Sequence, residues 1–261
     1  MPAARIVLNP TTTAPADYQP RPDLLAGKKI LVTGAGDGIG RAAAEAYAAH
    51  GATVILLGRT VEKLETVYDA IEAAGHPQPA IFPLDLASAE EPSYRELAQA
   101  IEENFGHLDG LLLNASVLGE RRPIDSATWR AWEEVMQVNV NAQFLLTRYL
   151  LPLLQRAPDA SLIFTSSGVG RRGKAFWGAY AVSKFATEGL MQVLAAEQEN
   201  TSRVRVNSLN PGGTNTAMRR AAYPAENPAS NPAPADIMHA YLYLMGEDSA
   251  GVHGQAVNAQ G

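Results

Sequence analysis

From residue 28 onward, short and nearly unbroken apolar runs alternate with longer stretches in which apolar positions return every three or four residues. The short runs are KKILVTG, ATVILLG, AIFPLD, LDGLLLNAS, ASLIFTSS, VRVNSLN and the weaker QAVNA. Runs of this kind fit strands covered on both faces, whereas the longer stretches carry the period of amphipathic helices. The spacing predicts helices over Ile39–His50, Val61–Ala74, Ser93–Asn104, Ser126 to about Leu154, Gly178 to about Glu199, and Pro234–Leu244. Strand and helix in strict alternation predict an α/β fold: a Rossmann-like, doubly wound parallel sheet of about seven strands with helices on both faces. Its ligand crevice is expected at the carboxyl ends of the strands. Residues 25–261 read as a single domain. Residues 1–24, rich in Pro, Thr and Ala, read as a flexible arm, and the Pro/Ala/Asn stretch Tyr223–Pro234 reads as a mobile loop.

Composition narrows the function classes more than the fold. With 46% hydrophobic and 18% charged residues in 261, the chain can bury one large core. Twenty-seven acids against 21 bases leave a net charge of −6, which argues against a nucleic-acid or anionic-membrane surface. The lack of cysteine excludes disulfides, thiol catalysis and thiolate-bound metal. No stretch approaches the roughly 20 apolar residues of a membrane span, and a cytoplasmic protein is expected. The histidines at 50, 76, 107, 239 and 253 show no ligand spacing, so no metal site is expected.

Chemistry enters at Thr33-Gly34-Ala35-Gly36-Asp37-Gly38-Ile39-Gly40, where the first strand meets the first helix. Glycines there permit a tight turn and close approach of a ligand to the backbone, and the helix N-terminus offers free N–H groups to a phosphate. The spacing departs from G-x-G-x-x-G, since its third glycine falls at Ile39. Asp37 has two readings: an acid that weakens anion binding, or a cap on the first helical N–H groups. The spacing TGxxxGxG, carried by Gly34, Gly38 and Gly40, resembles that of the short-chain dehydrogenase/reductase family.

That resemblance implies a nicotinamide cofactor. At the end of the second strand Gly58 stands where an NAD-preferring relative carries an acid, and Arg59 follows. An acid there repels a 2′-phosphate, whereas an arginine fork binds one, so NADP(H) is the expected cofactor and NAD(H) the alternative. The resemblance further implies cofactor contacts from Asp85 and Leu86 after the third strand, and from Asn114, Ala115 and Ser116 after the fourth. The family's Asn-Asn-Ala-Gly stands here as Leu113-Asn114-Ala115-Ser116. After the sixth strand, Pro211, Gly212, Thr214 and Thr216 resemble the turn that clasps the nicotinamide carboxamide.

Tyr180 and Lys184 are four apart on a predicted helix and share a face. A tyrosine at its ordinary pKa near 10 is a poor base, but a nearby ammonium lowers that value and lets the pair exchange a proton with an alcohol or carbonyl oxygen. The family's catalytic serine lies 13 residues before its tyrosine, which selects Ser167, with Ser166 as the fallback. Asn139, preferred to Asn141 because it precedes Phe144 by five, resembles the family asparagine that holds a relay water.

The resemblance implies an NAD(P)-dependent oxidoreductase that moves hydride between the cofactor and a carbonyl or secondary alcohol through Ser167, Tyr180, Lys184 and Asn139. A non-catalytic nucleotide sensor is the alternative. The substrate pocket is expected between Val117–Arg122, Gly168–Trp177 and the loop from Met218. Arg171, Arg172 and Lys174 are candidates for an anionic substrate, and Phe176 and Trp177 for an apolar one. Apolar stripes on the two long helices, among them Phe144, Leu145, Leu150 and Leu151, fit the family's helical interface, so a dimer or tetramer is expected.

Overall fold

The structure, a computed structural model, describes residues 12–261. Eight parallel strands form one sheet in the order β1-β8-β7-β6-β5-β2-β3-β4. The strands are β1 Thr12–Thr13, β2 Lys29–Thr33, β3 Thr53–Gly58, β4 Ala80–Pro83, β5 Gly110–Leu113, β6 Ala160–Thr165, β7 Val204–Asn210 and β8 Ala256–Asn258. The helices are α1 Gly38–Ala49, α2 Val61–Ala73, α3 Glu91–Phe105, α4 Trp129–Met136, α5 Ala142–Leu154, α6 Gly178–Gln198, α7 Ala217–Ala222 and α8 Met238–Met245.

The two-residue period of a strand sends neighbouring side chains to opposite faces, and β2 divides accordingly. Ile30 and Val32 pack with α1, α2 and α8. Leu31, between them, joins the core against α3, α5 and α6. Strand order reverses at β2, which pairs with β3 on one side and β5 on the other. The turns leaving β2 and β5 therefore diverge and open a crevice at the carboxyl end of the sheet.

Four expectations are corrected. Residues 1–11 of the expected arm lie outside the described residues, but the rest of that arm is tethered. Thr12 and Thr13 pair with Val257 and Asn258 as the eighth strand, Ala14 N–H donates to the Asn258 carbonyl at 2.9 Å, and Arg21 and Tyr18 reach Glu247 and Asp248. The long fourth helix is interrupted: a 3-10 turn at Ile124–Ser126 precedes α4, and a π segment, Gln137–Asn141, separates α4 from α5. Residues 217–222 form α7, a helix absent from the sequence reading. The Tyr223–Pro234 loop is cross-braced, since Arg219 makes a two-pronged pair with Glu226 at 2.6 Å and Asn231 donates to the same carboxylate.

Leu150 is also reassigned, because it is fully buried within this chain's own core. Phe144 on α5 and Val182, Phe185 and Val193 on α6 are the exposed apolar residues of those helices. Among the described residues no helix is long and apolar enough to cross a membrane.

Candidate active site

The crevice is a cleft of about 540 Å³, within the ordinary range of small-molecule sites. It is lined by Gly34, Gly36, Asp37, Gly38, Ile39, Arg59, Asp85, Leu86, Asn114, Ala115, Ser116, Ser167, Tyr180, Lys184, Pro211, Gly212, Thr214 and Thr216. Of the expected catalytic and cofactor-binding residues, Gly40 and Asn139 do not line it, and neither do the expected substrate residues Arg171, Arg172, Lys174 and Phe176.

The glycine turn is shaped by what it must avoid. Gly34 and Gly38 take φ of +67° and +53°, the left-handed region that a side chain opposes. Gly40 is required for a different reason: a Cβ there would lie 2.1 Å from the Gly34 carbonyl oxygen. Asp37 is the N-cap of α1 and accepts from Gly38 N–H at 2.7 Å. Its other oxygen accepts from Lys63 Nζ at 2.5 Å, and this bond holds the Asp37 carboxyl below its ordinary pKa. The acid in the turn is therefore a cap whose charge is offset by a lysine on α2, and both readings of Asp37 resolve in favour of the second. With exposed Arg59 at the end of β3, this part of the cleft combines a helix N-terminus, glycine backbone and cationic side chains, a donor set that fits a dinucleotide with an added phosphate.

Asn114 ties β5 to β2 by donating its side-chain amide to the Thr33 carbonyl at 3.3 Å, while its backbone N–H reaches Thr33 Oγ1 at 2.9 Å. Asp85 turns its carboxylate to Ala87 N–H. Across the cleft, the Pro211–Gly212 turn is held from the C-terminus by Gln260, which donates to the Pro211 carbonyl at 2.6 Å. Thr214 donates to Pro211, and Thr216 caps α7.

The inner end carries the proton chemistry. Tyr180 and Lys184 lie in the first two turns of α6, and Ser167 follows β6, where its oxygen accepts from Val169 N–H. Ser166 points elsewhere: it donates to Glu188 at 2.6 Å on the far side of the wall, which removes it as the fallback. Lys184 donates to the Thr165 carbonyl at 2.9 Å and its Nζ sits 5.5 Å from the centre of the Tyr180 ring. Burial pushes the Lys184 ammonium down to about 8, against a partial pull upward from Glu188.

Tyr180 behaves differently from the expectation of a lowered pKa. Burial pushes its phenol up to about 12, with the Ser116 and Ser167 hydroxyls pulling in the opposite direction. Removal from water dominates because the Lys184 ammonium lies over the ring and is bonded to Thr165, away from a direct contact with the phenol oxygen. The phenol therefore keeps its proton at neutral pH and is poised to give it. Ser116, read from the sequence as a backbone-lining position, places its hydroxyl beside this phenol without a well-aligned hydrogen bond.

Asn139 sits in the π segment, fully buried. Its side chain is spent: the oxygen accepts from Val117 N–H at 2.8 Å, and the amide donates to the Val117 carbonyl and to Ser183 Oγ, each at 3.0 Å. It therefore ties the loop after β5 to α6. Asn141, the other candidate, is exposed and bonds to Gln137.

Arg171 is corrected as a substrate residue. It pairs with buried Glu188 at 3.1 Å and with Asn258 and the Val257 carbonyl, stapling the loop after β6 to β8. Trp177 and Arg121 fall within the stretches expected to line the substrate pocket, but their pairing across the fold had no signal in the sequence. Trp177 packs against Tyr180 at 5.7 Å and Tyr223 at 5.8 Å, and Arg121 stacks on both Trp177 and Tyr223.

A parallel sheet with a glycine turn at its switch point and a Ser, Tyr and Lys set at the far end of the same cleft has the features of a nicotinamide-dependent oxidoreductase. The chain belongs to the short-chain dehydrogenase/reductase family, whose short chain dehydrogenase model matches residues 28–227. It is 55% identical to the uncharacterized oxidoreductase YciK of Escherichia coli over 93% of this chain and 96% of that protein. A short-chain dehydrogenase structure from Pseudomonas syringae is 61% identical, covers 94% of this chain and 99% of its own, and superposes with a TM-score of 0.90. One from Shigella flexneri, complexed with NADP, is 54% identical, covers 92% of this chain and 100% of its own, with a TM-score of 0.90.

Proposed function

We propose that this enzyme reduces a carbonyl compound to the alcohol with NADPH, and runs the reverse reaction when alcohol and NADP+ are in excess. The observation that carries the reading is one continuous cleft with Arg59 and the glycine turn at one end and protonated Tyr180 beside Ser167 and Lys184 at the other. When bound, NADPH supplies the hydride that the carbonyl carbon receives. Ser167 holds the carbonyl oxygen, Tyr180 gives it a proton, and Lys184 binds the cofactor ribose and steadies the phenolate left behind. Asn139 is a positioning residue that fixes the Val117 loop against α6. Arg59 and the Gly34–Gly40 turn hold the phosphates, Asp85, Leu86, Asn114 and Ala115 border the adenosine half, Ser116 borders the cofactor beside the Tyr180 phenol, and Pro211, Gly212, Thr214 and Thr216 clasp the nicotinamide.

The NADP complex of the Shigella relative supports this cofactor choice. Fluorescence titration should give tighter binding of NADPH than NADH by about tenfold or more, and Arg59→Ala should erase the difference by weakening NADPH alone. Equal affinities in the unaltered protein would remove Arg59 as the 2′-phosphate anchor.

The enzyme is also proposed to be a cytoplasmic homo-oligomer, a dimer or tetramer joined through Phe144, Val182, Phe185 and Val193, whose exposed side chains fall on two neighbouring helices. Sedimentation equilibrium should give a multiple of the 27.8 kDa chain mass; a concentration-independent monomer would contradict it.

A further inference from the structure

We infer that the substrate is a carboxylate-bearing carbonyl compound, a keto or formyl acid whose acid group is held by Arg121; the inference rests on the carbonyl-reduction reading above. Arg121 lies on the loop between β5 and α4, just outside the cleft lining and stacked on Trp177, which lines the cleft beside Tyr180. Its guanidinium stacks on the Trp177 ring at 4.6 Å and on the Tyr223 ring at 5.0 Å. Cation–π contact with two rings makes no hydrogen bond through the guanidinium N–H groups, the donors that bind a carboxylate in two-pronged fashion.

The Arg121 guanidinium has no hydrogen-bond or ion-pair partner among the described residues, and Glu120 and Glu226 are already engaged. Glu120 accepts from Thr128 and pairs with Arg122. Glu226 is occupied on both oxygens by Arg219. Lys174 adds a second positive charge, its ammonium 3.0 Å from the Tyr223 hydroxyl and 5.3 Å from that ring. The Trp177 indole N–H is buried without a partner, one more donor facing no acceptor of the protein's own.

Trp177 links the two groups: its ring centre is 5.7 Å from that of Tyr180 and 4.6 Å from the Arg121 guanidinium. An aromatic compound carrying both a carbonyl and a carboxylate is the simplest molecule to bridge them. The apolar wall between them comes from Leu118, Val169 and Met218, packed against Trp177 and Tyr180. The cofactor's phosphate anchors stand at the opposite end of the cleft, so the two anion sites do not compete.

The test uses 4-formylbenzoate and its methyl ester, which share a carbonyl and differ in charge. Each is titrated by calorimetry into protein saturated with NADP+, and each is assayed for NADPH oxidation. The acid should bind about tenfold or more tightly than the ester, and Arg121→Gln should bring the ratio near one. Arg122→Gln, which alters the neighbouring and already paired arginine, should keep the ratio. Equal, reversed or absent binding of the two compounds, or a preference that survives Arg121→Gln, overturns the inference. Preferred binding of the acid without turnover of either compound supports the anion site and counts against the carbonyl-reduction reading instead. Turnover of both with equal affinity does the opposite.

Discussion

Tyr180→Phe should lower kcat for NADPH-dependent carbonyl reduction by about a thousandfold, within the span that a positioned proton donor contributes. The substitution deletes one oxygen and keeps the ring that packs on Trp177 at 5.7 Å, so the pocket wall and the fold should persist. NADPH affinity should change little, because the phosphate anchors lie at the other end of the cleft. The measurement is kcat beside a fluorescence-determined Kd; retained turnover would remove Tyr180 from proton transfer. The pH profile examines the same pair. With its phenol raised to about 12, Tyr180 stays a competent donor across the accessible range. Lys184, depressed to about 8, is charged below that value and neutral above it. The kcat/KM for reduction should therefore be level through neutrality and fall as pH rises past about 8. A level profile up to pH 10 would show that the Lys184 charge is not needed.

Gly40→Ala is expected to be the most damaging single methyl group in the chain. The added Cβ would meet the Gly34 carbonyl oxygen at 2.1 Å and Asn114 Nδ2 at 2.7 Å. The first obstacle is backbone, so relief requires α1 to move away from β2. We expect a loss of about 3 kcal/mol, typical of severe overpacking, and a fall in Tm of roughly 10 °C for a chain of this length. Nucleotide binding should be lost with it, since the turn that moves is the one lining the cleft. Gly173→Ala, where an added methyl meets nothing within 4 Å, is the control and should unfold like the parent. A Gly40→Ala protein with unchanged Tm would mean that the turn is far more compliant than its packing indicates.

Much of this was legible from spacing. Tyr180 and Lys184 share a helix face because they are four apart, and the strand ending in Thr165 puts Ser167 next to them. Asn139 was legible as a residue, but the bonds that hold it were not. The π segment that turns its amide onto Val117 and Ser183 is a one-residue slip in hydrogen bonding that leaves no trace in the apolar period. Other features depend on partners distant in sequence. Lys63 offsets Asp37 from 26 positions further along the chain, and Thr12–Thr13 is a strand only because β8 offers an edge. The Tyr223–Pro234 stretch has a loop's composition, yet Glu226 anchors it to α7 through Arg219. The raised phenol of Tyr180 has no sequence signal, because spacing reveals the nearby Lys184 charge but not the burial that strips water from the phenol.

The pairing of Thr12 and Thr13 with Val257 and Asn258 joins the first described strand to the last. A ribosome makes residue 12 well before residue 257, so the leading strand has no edge to pair with until β8 has emerged. Pairing of Thr12 and Thr13 therefore reports that β8, which leads into the Gln260 clamp on the Pro211 turn, is in place.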